Sequence, residues 1–326
     1  MIIVGVDVSK STLDLFLKPV DTAVHISNDT KGFKQWFKVL RALMNQEVKV
    51  MVIMEHTGRY SLSFESFLQS RSIDYCKVAA LEIKRSVGMK RGKDDKTDAQ
   101  RIAEYGWLRR EILTADQHPD QSILTLGNLL SLRAKMVRDR GGYIARLKEM
   151  RATTTNATCK SLISLQQKAI AFFTQQIIVV DRQIKALIAS DEEMKKTFDL
   201  LITIKGIGWV IASHMIRSTY NFRRFINARK FNCYVGIAPF KNESGSSKKV
   251  KSRISHLANK TIKSLLDRGA STAIQHDQEM KSYYQRRVKE GKSKRSTINI
   301  VRAKLVARMF AVIKRQTPYQ TLTIAA

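Results

Sequence analysis

The sequence has little cysteine, little proline and few acidic side chains for its length. Its three cysteines, Cys76, Cys159 and Cys233, lie far apart and form no CxxC pair, which argues against a disulfide framework and against a zinc knuckle. Its four prolines are scattered over 326 residues, so no proline-rich linker is predicted. We therefore expect a protein of a reducing compartment, the cytoplasm.

Long apolar runs are also missing. No run reaches the roughly 18 residues that a membrane span needs. The first ten residues, MIIVGVDVSK, have no basic segment before their apolar stretch, which is not typical of a signal peptide. We expect no membrane partner, while a hydrophobic content of 44% is enough for true cores.

Positive charge is abundant and unevenly spread. The chain has 58 Lys and Arg against 28 Asp and Glu, a formal net charge of +30. Residues 221–326 hold 24 of the basic and 5 of the acidic residues, a net charge of +19. A field of this strength favours a polyanion partner over a merely basic soluble protein, and nucleic acid is the first candidate because phosphate binding releases counterions.

Hydrophobic periodicity predicts an α/β domain with a mixed sheet over residues 1–112. Apolar or alternating runs predict strands, and helical spacing predicts the helices between them. The strands are expected at 2–8, 13–17, 20–26, 48–54 and 74–79, and the helices at 31–45, 60–70 and 95–109.

The rest of the chain predicts helices. Residues 113–195 show long helical periodicity with poor helix formers at 152–159, which predicts a helical hairpin, or coiled coil, of a kind common in oligomers. Gly141–Gly142 predicts a kink or break in its first helix. Residues 196–326 predict a basic helical domain with a Ser- and Lys-rich loop at 239–250.

Four carboxylates fall at the ends of the predicted elements. Asp7 lies in the first strand, Glu55 lies where the apolar run 48–54 stops, and Asp95 and Asp98 lie three residues apart at the start of a helix. Three of them have a structural alternative, because Asp95 suits a helix N-cap, Asp98 suits the helix dipole and Glu55 suits an ion pair with Arg59. Asp7 is the hardest to explain structurally, because a charged residue in a buried strand is costly. Together they favour a site for Mg²⁺, which prefers several oxygen ligands.

These acids resemble a known motif. Asp7 in GVDVSK, Glu55 in MEHTGRY, and Asp95 with Asp98 in KDDKTDAQRIA resemble the DEDD motif of RuvC-like transposases of the IS-one-ten type, a family that includes the Piv DNA invertase. TIKGIG, within residues 200–212, resembles the helix-hairpin-helix segment of that family. YVGIAPFKNESG, residues 234–245, resembles its C-terminal transposase motif. The resemblance thus covers nearly the whole chain.

The resemblance implies a fold, an activity and partners. It implies an RNase H-like N-terminal domain, magnesium on the four acids, and Ser244 as the nucleophile that forms a phosphoserine link with DNA, with Ser246 and Ser247 as alternatives. It also implies target and donor duplex DNA, a bridge RNA, and a tetramer or dimer with a site composed across protomers. An invertase without a guide RNA, a junction nuclease that uses water, and a nucleic-acid-binding protein without enzymatic activity remain as alternatives.

Basic residues near glycines and aromatics are the candidate nucleic-acid contacts. Gly206 and Gly208 after Lys205 expose backbone N–H groups suited to a phosphate, although a tight turn between helices needs the same glycines. The other candidates could contact the backbone and the bases of a nucleic acid, although each of them alone is also typical of an ordinary solvent-exposed surface. They are Arg223, Arg224, Lys248, Lys249, Lys251, Arg253, Arg286 and Arg287. No Walker-type GxxxxGK[ST] loop is present, so we expect no ATP requirement.

Overall fold

The computed structural model describes residues 1–43, 48–56, 58–86, 95–153, 157–244, 248–254 and 258–320. Of residues 95–96, 157–159, 241–244 and 248–253 it describes the backbone and not the side chains. The chain divides into two compact units, residues 1–118 and 119–326, which we call the N-terminal unit and the C-terminal unit. The predicted hairpin region therefore lies almost entirely in the C-terminal unit, and the division at 112/113 and 195/196 stays a prediction.

The N-terminal unit contains a five-stranded mixed sheet, as predicted. Its strand order is β3-β2-β1-β4-β5. The first three strands along the chain pair antiparallel, and β4 and β5 extend the sheet in parallel with β1. The elements are β1 (Ile2–Val8), β2 (Thr12–Lys18), β3 (Thr22–Ser27), α1 (Thr30–Leu43), β4 (Val50–Glu55), α2 (Leu62–Ser70), β5 (Asp74–Val78), α3 (Ala80–Ser86) and α4 (Asp95–Leu108).

Apolar clusters cover both faces of this sheet. Trp36 of α1 and Phe64 of α2 are fully buried against Val4 and Val6 on one face. On the other face, Ile3 and Ile53 pack with residues of α3 and α4. Because β1 is covered on both sides, its sequence is apolar from Ile2 to Val6, which is the pattern expected of a central strand, and Asp7 follows near its end.

Helix α4 packs on β1 at unusually short range. A Cβ atom on Gly5 would lie 2.2 Å from the backbone nitrogen of Ala103 and 2.3 Å from the carbonyl oxygen of Ala99. One turn further along α4, a Cβ on Gly106 would lie 2.8 Å from a side-chain carbon of Ile3. Helix α4 therefore runs antiparallel to β1, and its first turn lies at the end of the sheet where Asp7 lies.

The C-terminal unit is mainly helical. Its elements are α5 (Gln121–Thr153), α6 (Ala157–Ser190), α7 (Glu192–Ile202), α8 (Trp209–Thr219), α9 (Ala228–Val235), β6 (Pro239–Ser244), β7 (Lys248–Ile254), α10 (Lys260–His276), α11 (Gln278–Lys289) and α12 (Lys294–Arg315). A single cluster of buried apolar residues joins α5 to α10 and α12. Over the described residues, no helix is apolar for long enough to cross a membrane.

Helices α5 and α6 form the expected antiparallel pair. Of the predicted kink or break in α5, a break is contradicted. Arg133 pairs with Asp181 and Arg140 contacts Thr174, so the two helices run in opposite directions. Helix α5 continues through Gly141–Gly142. Each of the two glycines destabilises the helix by about 1 kcal/mol because of its low helix propensity. Contacts between α5 and α6 on both sides of the two glycines offset this cost.

The predicted loop at 239–250 is also wrong, because β6 and β7 form an antiparallel hairpin. Ser244 is the last residue of β6, and its Cα partner is Lys248. A Ser- and Lys-rich composition is typical of loops, but ladder hydrogen bonds are backbone bonds and do not need apolar side chains. Gly245, Ser246 and Ser247 lie outside the described residues.

The close contact at Gly5 predicts a large effect of a small substitution. We expect Gly5→Ala to lower the free energy of unfolding by about 1–3 kcal/mol, because the added methyl group has to displace helix backbone. Urea denaturation of both proteins measures the difference.

The matched control is Gly141→Ala, where a Cβ meets nothing within 4 Å and a helix interior favours Ala over Gly. We expect it to raise the free energy of unfolding by about 0.5–1 kcal/mol. Equal stabilities for Gly5→Ala and the unmodified protein would contradict the described packing of α4.

Candidate active site

Asp7 and Glu55 lie at the carboxyl ends of neighbouring parallel strands. The pairing of β1 with β4 runs from Ile2 opposite Val50 to Val6 opposite Met54, and Asp7 and Glu55 are the next residues of the two strands. Side chains alternate along a strand, so Asp7 shares the face of Gly5, which is the face covered by α4. Both carboxylates are half-buried, as expected at a sheet edge that a ligand can reach.

The first turn of α4 brings a third acid to this end of the sheet. Asp98 precedes Ala99, whose carbonyl lies against Gly5, and its side chain is 30% exposed. The guanidinium group of Arg101 donates to Asp98 Oδ1 at 2.7 Å. Asp95 is the first residue of α4, and its side chain lies outside the description. The fold thus collects Asp7, Glu55 and the start of α4 at one end of one face.

The donor set suits a divalent cation. Carboxylate oxygens are the ligands that Mg²⁺ prefers, and elements from three parts of the chain supply them. Among the described side chains, no group of three or more His, Cys, Asp or Glu converges closely enough to hold a metal ion. The fourth acid, Asp95, is not among them, so the complete DEDD set stays a prediction.

Two polar residues that the sequence pattern did not reveal lie beside Asp7 on the neighbouring strands, and together the three residues form a row across the sheet. Asp14 on β2 is the Cα partner of Asp7, and His25 on β3 is the Cα partner of Asp14. His25 Nδ1 lies 2.8 Å from Asp14 Oδ1. Directly paired residues share a face of the sheet, so Asp14 and His25 lie on the α4 side with Asp7. Only the register of the sheet shows this row.

Ser244 lies on a hairpin whose base is fixed by distant side chains. Lys263 donates to the carbonyl oxygen of Gly236 at 3.0 Å, and Asn299 donates to that of Ile237 at 2.8 Å. Asn259 donates to the hydroxyl oxygen of Tyr234 at 2.9 Å and caps α10 through the N–H of Ile262. These bonds position the YVGIAP segment that leads into β6. The side chain of Ser244 lies outside the description, so its role stays a prediction.

The predicted basic contacts have different surroundings. Arg223 is held by ion pairs with Asp120 and Glu193, and Arg224 lies 5.1 Å from the ring centre of Tyr234. Arg286 and Arg287 both pair with Glu290. These pairs fix the side chains and reduce their net charge. The side chains of Lys248, Lys249, Lys251 and Arg253 on β7 lie outside the description.

The turn between α7 and α8 contains Lys205, Gly206 and Gly208. Gly206 has a φ of +93°, and a Cβ on it would lie 2.5 Å from the carbonyl oxygen of Gly269 on α10. It is therefore required by the turn and by close packing. Gly208 is the N-cap of α8, is exposed, and has open space around its Cβ position. Lys205 is exposed beside it.

A second buried ionic group lies on the opposite face of the sheet and belongs to the core. Glu65 of α2 accepts hydrogen bonds from Ser61 at 2.6 Å, Tyr75 at 2.9 Å and Lys77 at 2.7 Å. Burial by itself would raise the pKa of Glu65. The charge of Lys77 and the three hydrogen bonds outweigh burial and lower that pKa. The pair fixes β5 to α2 and has no role in the site.

Two parts of the chain match known protein families. Residues 4–153 match the IS110-type DEDD transposase family, described as a transposase. Residues 198–285 match the family described as Transposase IS116/IS110/IS902. The first match contains Asp7, Glu55, Asp95 and Asp98, and the second contains Ser244.

Two relatives match over almost their full length. The chain is 26% identical over 322 residues to the pilin gene-inverting protein of Moraxella bovis, with 97% of each chain covered. The pilin gene-inverting protein of Moraxella lacunata matches with the same identity and coverage.

These matches define the class of the protein. The protein is an enzyme of DNA recombination, a transposase or recombinase. It carries the two transposase domains of the IS110 family. The DEDD domain implies the RuvC-like fold, with which the five-stranded mixed sheet agrees.

The Glu65 network predicts a pH-dependent stability. We expect Glu65→Gln to lower the free energy of unfolding at about pH 7 by about 2 kcal/mol, because Lys77 loses its charged partner. The pKa of Glu65 is lowered on folding, so this contribution is present above the ordinary carboxylate range and is lost as the pH falls through the folded pKa. The difference between the two proteins therefore shrinks on acidification.

Urea denaturation over a pH series measures this difference. Glu149→Gln, which removes an exposed carboxylate of α5, is the matched control and should change stability little at any pH. A Glu65→Gln difference that stays constant down to acidic pH would contradict the assignment to an ionised carboxylate.

Proposed function

We propose that this enzyme cleaves and rejoins DNA through a covalent serine–phosphate intermediate formed by Ser244. The observation that carries the proposal is the pair of family matches, one spanning the DEDD acids and one spanning the serine hairpin. The arrangement of Asp7, Glu55 and the start of α4 at one end of the sheet supports the first part. The anchored base of the β6–β7 hairpin supports the second.

The proposed reaction exchanges one phosphate ester bond for another. The oxygen of Ser244 bonds to a DNA phosphorus, and the bond between that phosphorus and the 3′-oxygen breaks. The 3′-oxygen leaves as a hydroxyl group and takes up the proton that the serine loses. In the reverse direction, a 3′-hydroxyl of another DNA end attacks the phosphoserine and restores Ser244. Each step conserves the number of phosphate esters, so no ATP is consumed.

The four acids serve as the metal ligands in this proposal. Asp7, Glu55, Asp95 and Asp98 would hold a divalent cation, proposed to be Mg²⁺, and the cation would supply positive charge that stabilises a phosphate group during the reaction. The half-buried position of Asp7 and Glu55 restricts water around the carboxylates, which strengthens electrostatic attraction. Arg101 holds the carboxylate of Asp98 in a fixed orientation.

The nucleic-acid partners proposed are duplex DNA, as target and donor, and a bridge RNA. The net charge of +19 in residues 221–326 supports a partner with a dense array of phosphates. The pilin gene-inverting relatives favour a second candidate, inversion of a DNA segment. In this second candidate we propose that no guide RNA takes part. A third candidate is a junction nuclease that uses water and forms no covalent link.

A cleavage assay separates these candidates. We expect uniformly labelled duplex DNA spanning the chain's own gene and flanks, with Mg²⁺ and the copurified RNA, to give a protein–DNA adduct on a denaturing gel. The adduct should be lost in Ser244→Ala because the nucleophile is removed. It should also be lost in Asp7→Ala and in EDTA because the metal is not held. Ser246→Ala and Ser247→Ala are the matched controls and should retain it.

Several outcomes of this assay contradict the proposal. Free DNA ends that survive Ser244→Ala but not Asp7→Ala would mean a metal-dependent nuclease. Loss of the adduct in Ser246→Ala or Ser247→Ala, but not in Ser244→Ala, would mean that the substituted serine, and not Ser244, is the nucleophile. Target choice that persists after ribonuclease treatment would favour recombination without a guide RNA.

We further propose that the chain acts as a homo-oligomer, a dimer or a tetramer, through the α5–α6 pair. Large apolar side chains of this pair remain exposed, and the most exposed are Leu165 at 61% and Phe172 at 60%. Others are Ile144, Leu162 and Ile178. Exposed apolar groups concentrated on one element are typical of protein–protein interfaces.

Sedimentation tests the oligomer. We expect Leu165→Ser combined with Phe172→Ser to lower the molecular mass of the particle in analytical ultracentrifugation, because the apolar contact between protomers is lost. Gln167→Ser, at an exposed polar position of the same helix, is the matched control and should leave the mass unchanged. An unmodified chain that sediments as a monomer would contradict the proposal.

A further inference from the structure

A cavity of about 630 Å³ opens beside the α7–α8 turn. Its walls come from α5, from the turn itself, from the first turn of α8 and from α10, all within the C-terminal unit. Volumes of this size are those of pockets for small ligands, about 300–1,000 Å³. We call it the turn pocket.

The turn pocket is lined by positive charge. Arg133, Arg140, Lys205 and Arg268 all contribute to its wall, and no described acidic residue does. Arg133 is paired with Asp181, whereas Arg140, Lys205 and Arg268 form no ion pair with any residue that the structure describes. Such an array attracts an anion.

The floor of the turn pocket is apolar and contains an aromatic ring. Trp209 is half-buried, and the guanidinium carbon of Arg133 lies 4.9 Å from its ring centre. Ile204 and Ile207 line the cavity next to the ring. The ammonium nitrogen of Lys185 also lies over this ring, 5.4 Å from its centre. Aromatic rings combined with arginine and lysine side chains form the surfaces on which unpaired bases stack in proteins that bind single strands.

A histidine of α8 lies near one of the arginines of the turn pocket. Burial lowers the pKa of His214 on α8, and the charges of Arg133 and Arg217 lower it further, to about 4. His214 is therefore neutral near pH 7. The positive charge of the turn pocket comes from its arginine and lysine side chains and not from His214.

The backbone adds donors at the mouth of the pocket. Gly208, the N-cap of α8, has no side chain to cap the helix, so the first N–H groups of α8 have no side-chain partner there. Trp209, Val210 and Ile211 all line the cavity. Free N–H groups at a helix start suit a phosphate, and they add to the cations of the wall.

We propose that the turn pocket binds one unpaired nucleotide of the DNA substrate, with its base against Trp209 and its phosphate among Lys205, Arg140 and Arg268. Cations beside an apolar floor match the two chemical parts of a nucleotide. A base stacked in a duplex cannot reach such a pocket unless it is turned out of the helix, so the pocket selects DNA that is locally unpaired. This rests on the proposed function only in taking DNA as the substrate.

A fluorescent base gives a direct test with the full chain. 2-Aminopurine loses fluorescence when it stacks on an aromatic ring, and we expect quenching for short single-stranded DNA and for a duplex in which it is bulged. The fully paired duplex of the same sequence should bind without further quenching. The measurement is made in EDTA, so it needs no cleavage, and failure of the serine chemistry leaves its result unaffected.

Substitution of Gly208 separates charge from bulk. Asp and Asn are both good N-caps, so Gly208→Asp and Gly208→Asn should fold with similar thermal stability. We expect Gly208→Asp to bind the bulged probe about tenfold more weakly than Gly208→Asn, because it places a carboxylate where the phosphate lies. Arg268→Gln should weaken binding in the same direction.

The matched control is Arg138→Gln, which removes an exposed arginine of α5 that does not line the pocket. We expect the probe to bind this variant as it binds the unmodified chain. Equal binding by Gly208→Asp and Gly208→Asn, or equal quenching by the paired duplex, would overturn the proposal. Tighter binding of the same sequence as RNA would overturn DNA as the source of the nucleotide.

Discussion

The close packing of α4 on β1 is the contact on which the candidate site depends. Gly5 and the small residues of α4 bring helix backbone against strand backbone, and the chain direction follows from which residues meet. Because α4 runs antiparallel to β1, its first turn, with Asp98, ends near Asp7. A larger residue at position 5 would move that turn and would separate acids that the proposed reaction needs together.

The C-terminal unit uses a comparable contact for a different purpose. Gly206 meets Gly269, so the α7–α8 turn lies directly on α10. This contact brings Lys205 and the start of α8 to the wall formed by α5 and α10, and the turn pocket is the space left between them. The hairpin with Ser244 is positioned separately, by hydrogen bonds from α10 and α12 to the segment before β6.

Much of the N-terminal unit could be predicted from local pattern. The run 2–8 and the run 48–54 are apolar because both strands are covered on two faces, and Asp7 and Glu55 stand out against them. Local pattern failed at Gly141–Gly142, where contacts with α6 hold a helix that propensity disfavours. It failed again at 239–250, where backbone pairing formed strands from residues with the composition of a loop.

The sequence by itself determined the charge of the chain and the approximate positions of the five strands of the N-terminal unit, because both depend on residue type and on spacing along the chain. The class of the enzyme followed from the resemblance of its motifs to those of a known family. Only the tertiary structure decided that Asp14 and His25 lie in the row of Asp7, and that Arg133, Lys205 and Arg268 surround one cavity. Strand register and helix packing join residues far apart in the chain, and no local periodicity specifies which residues will meet.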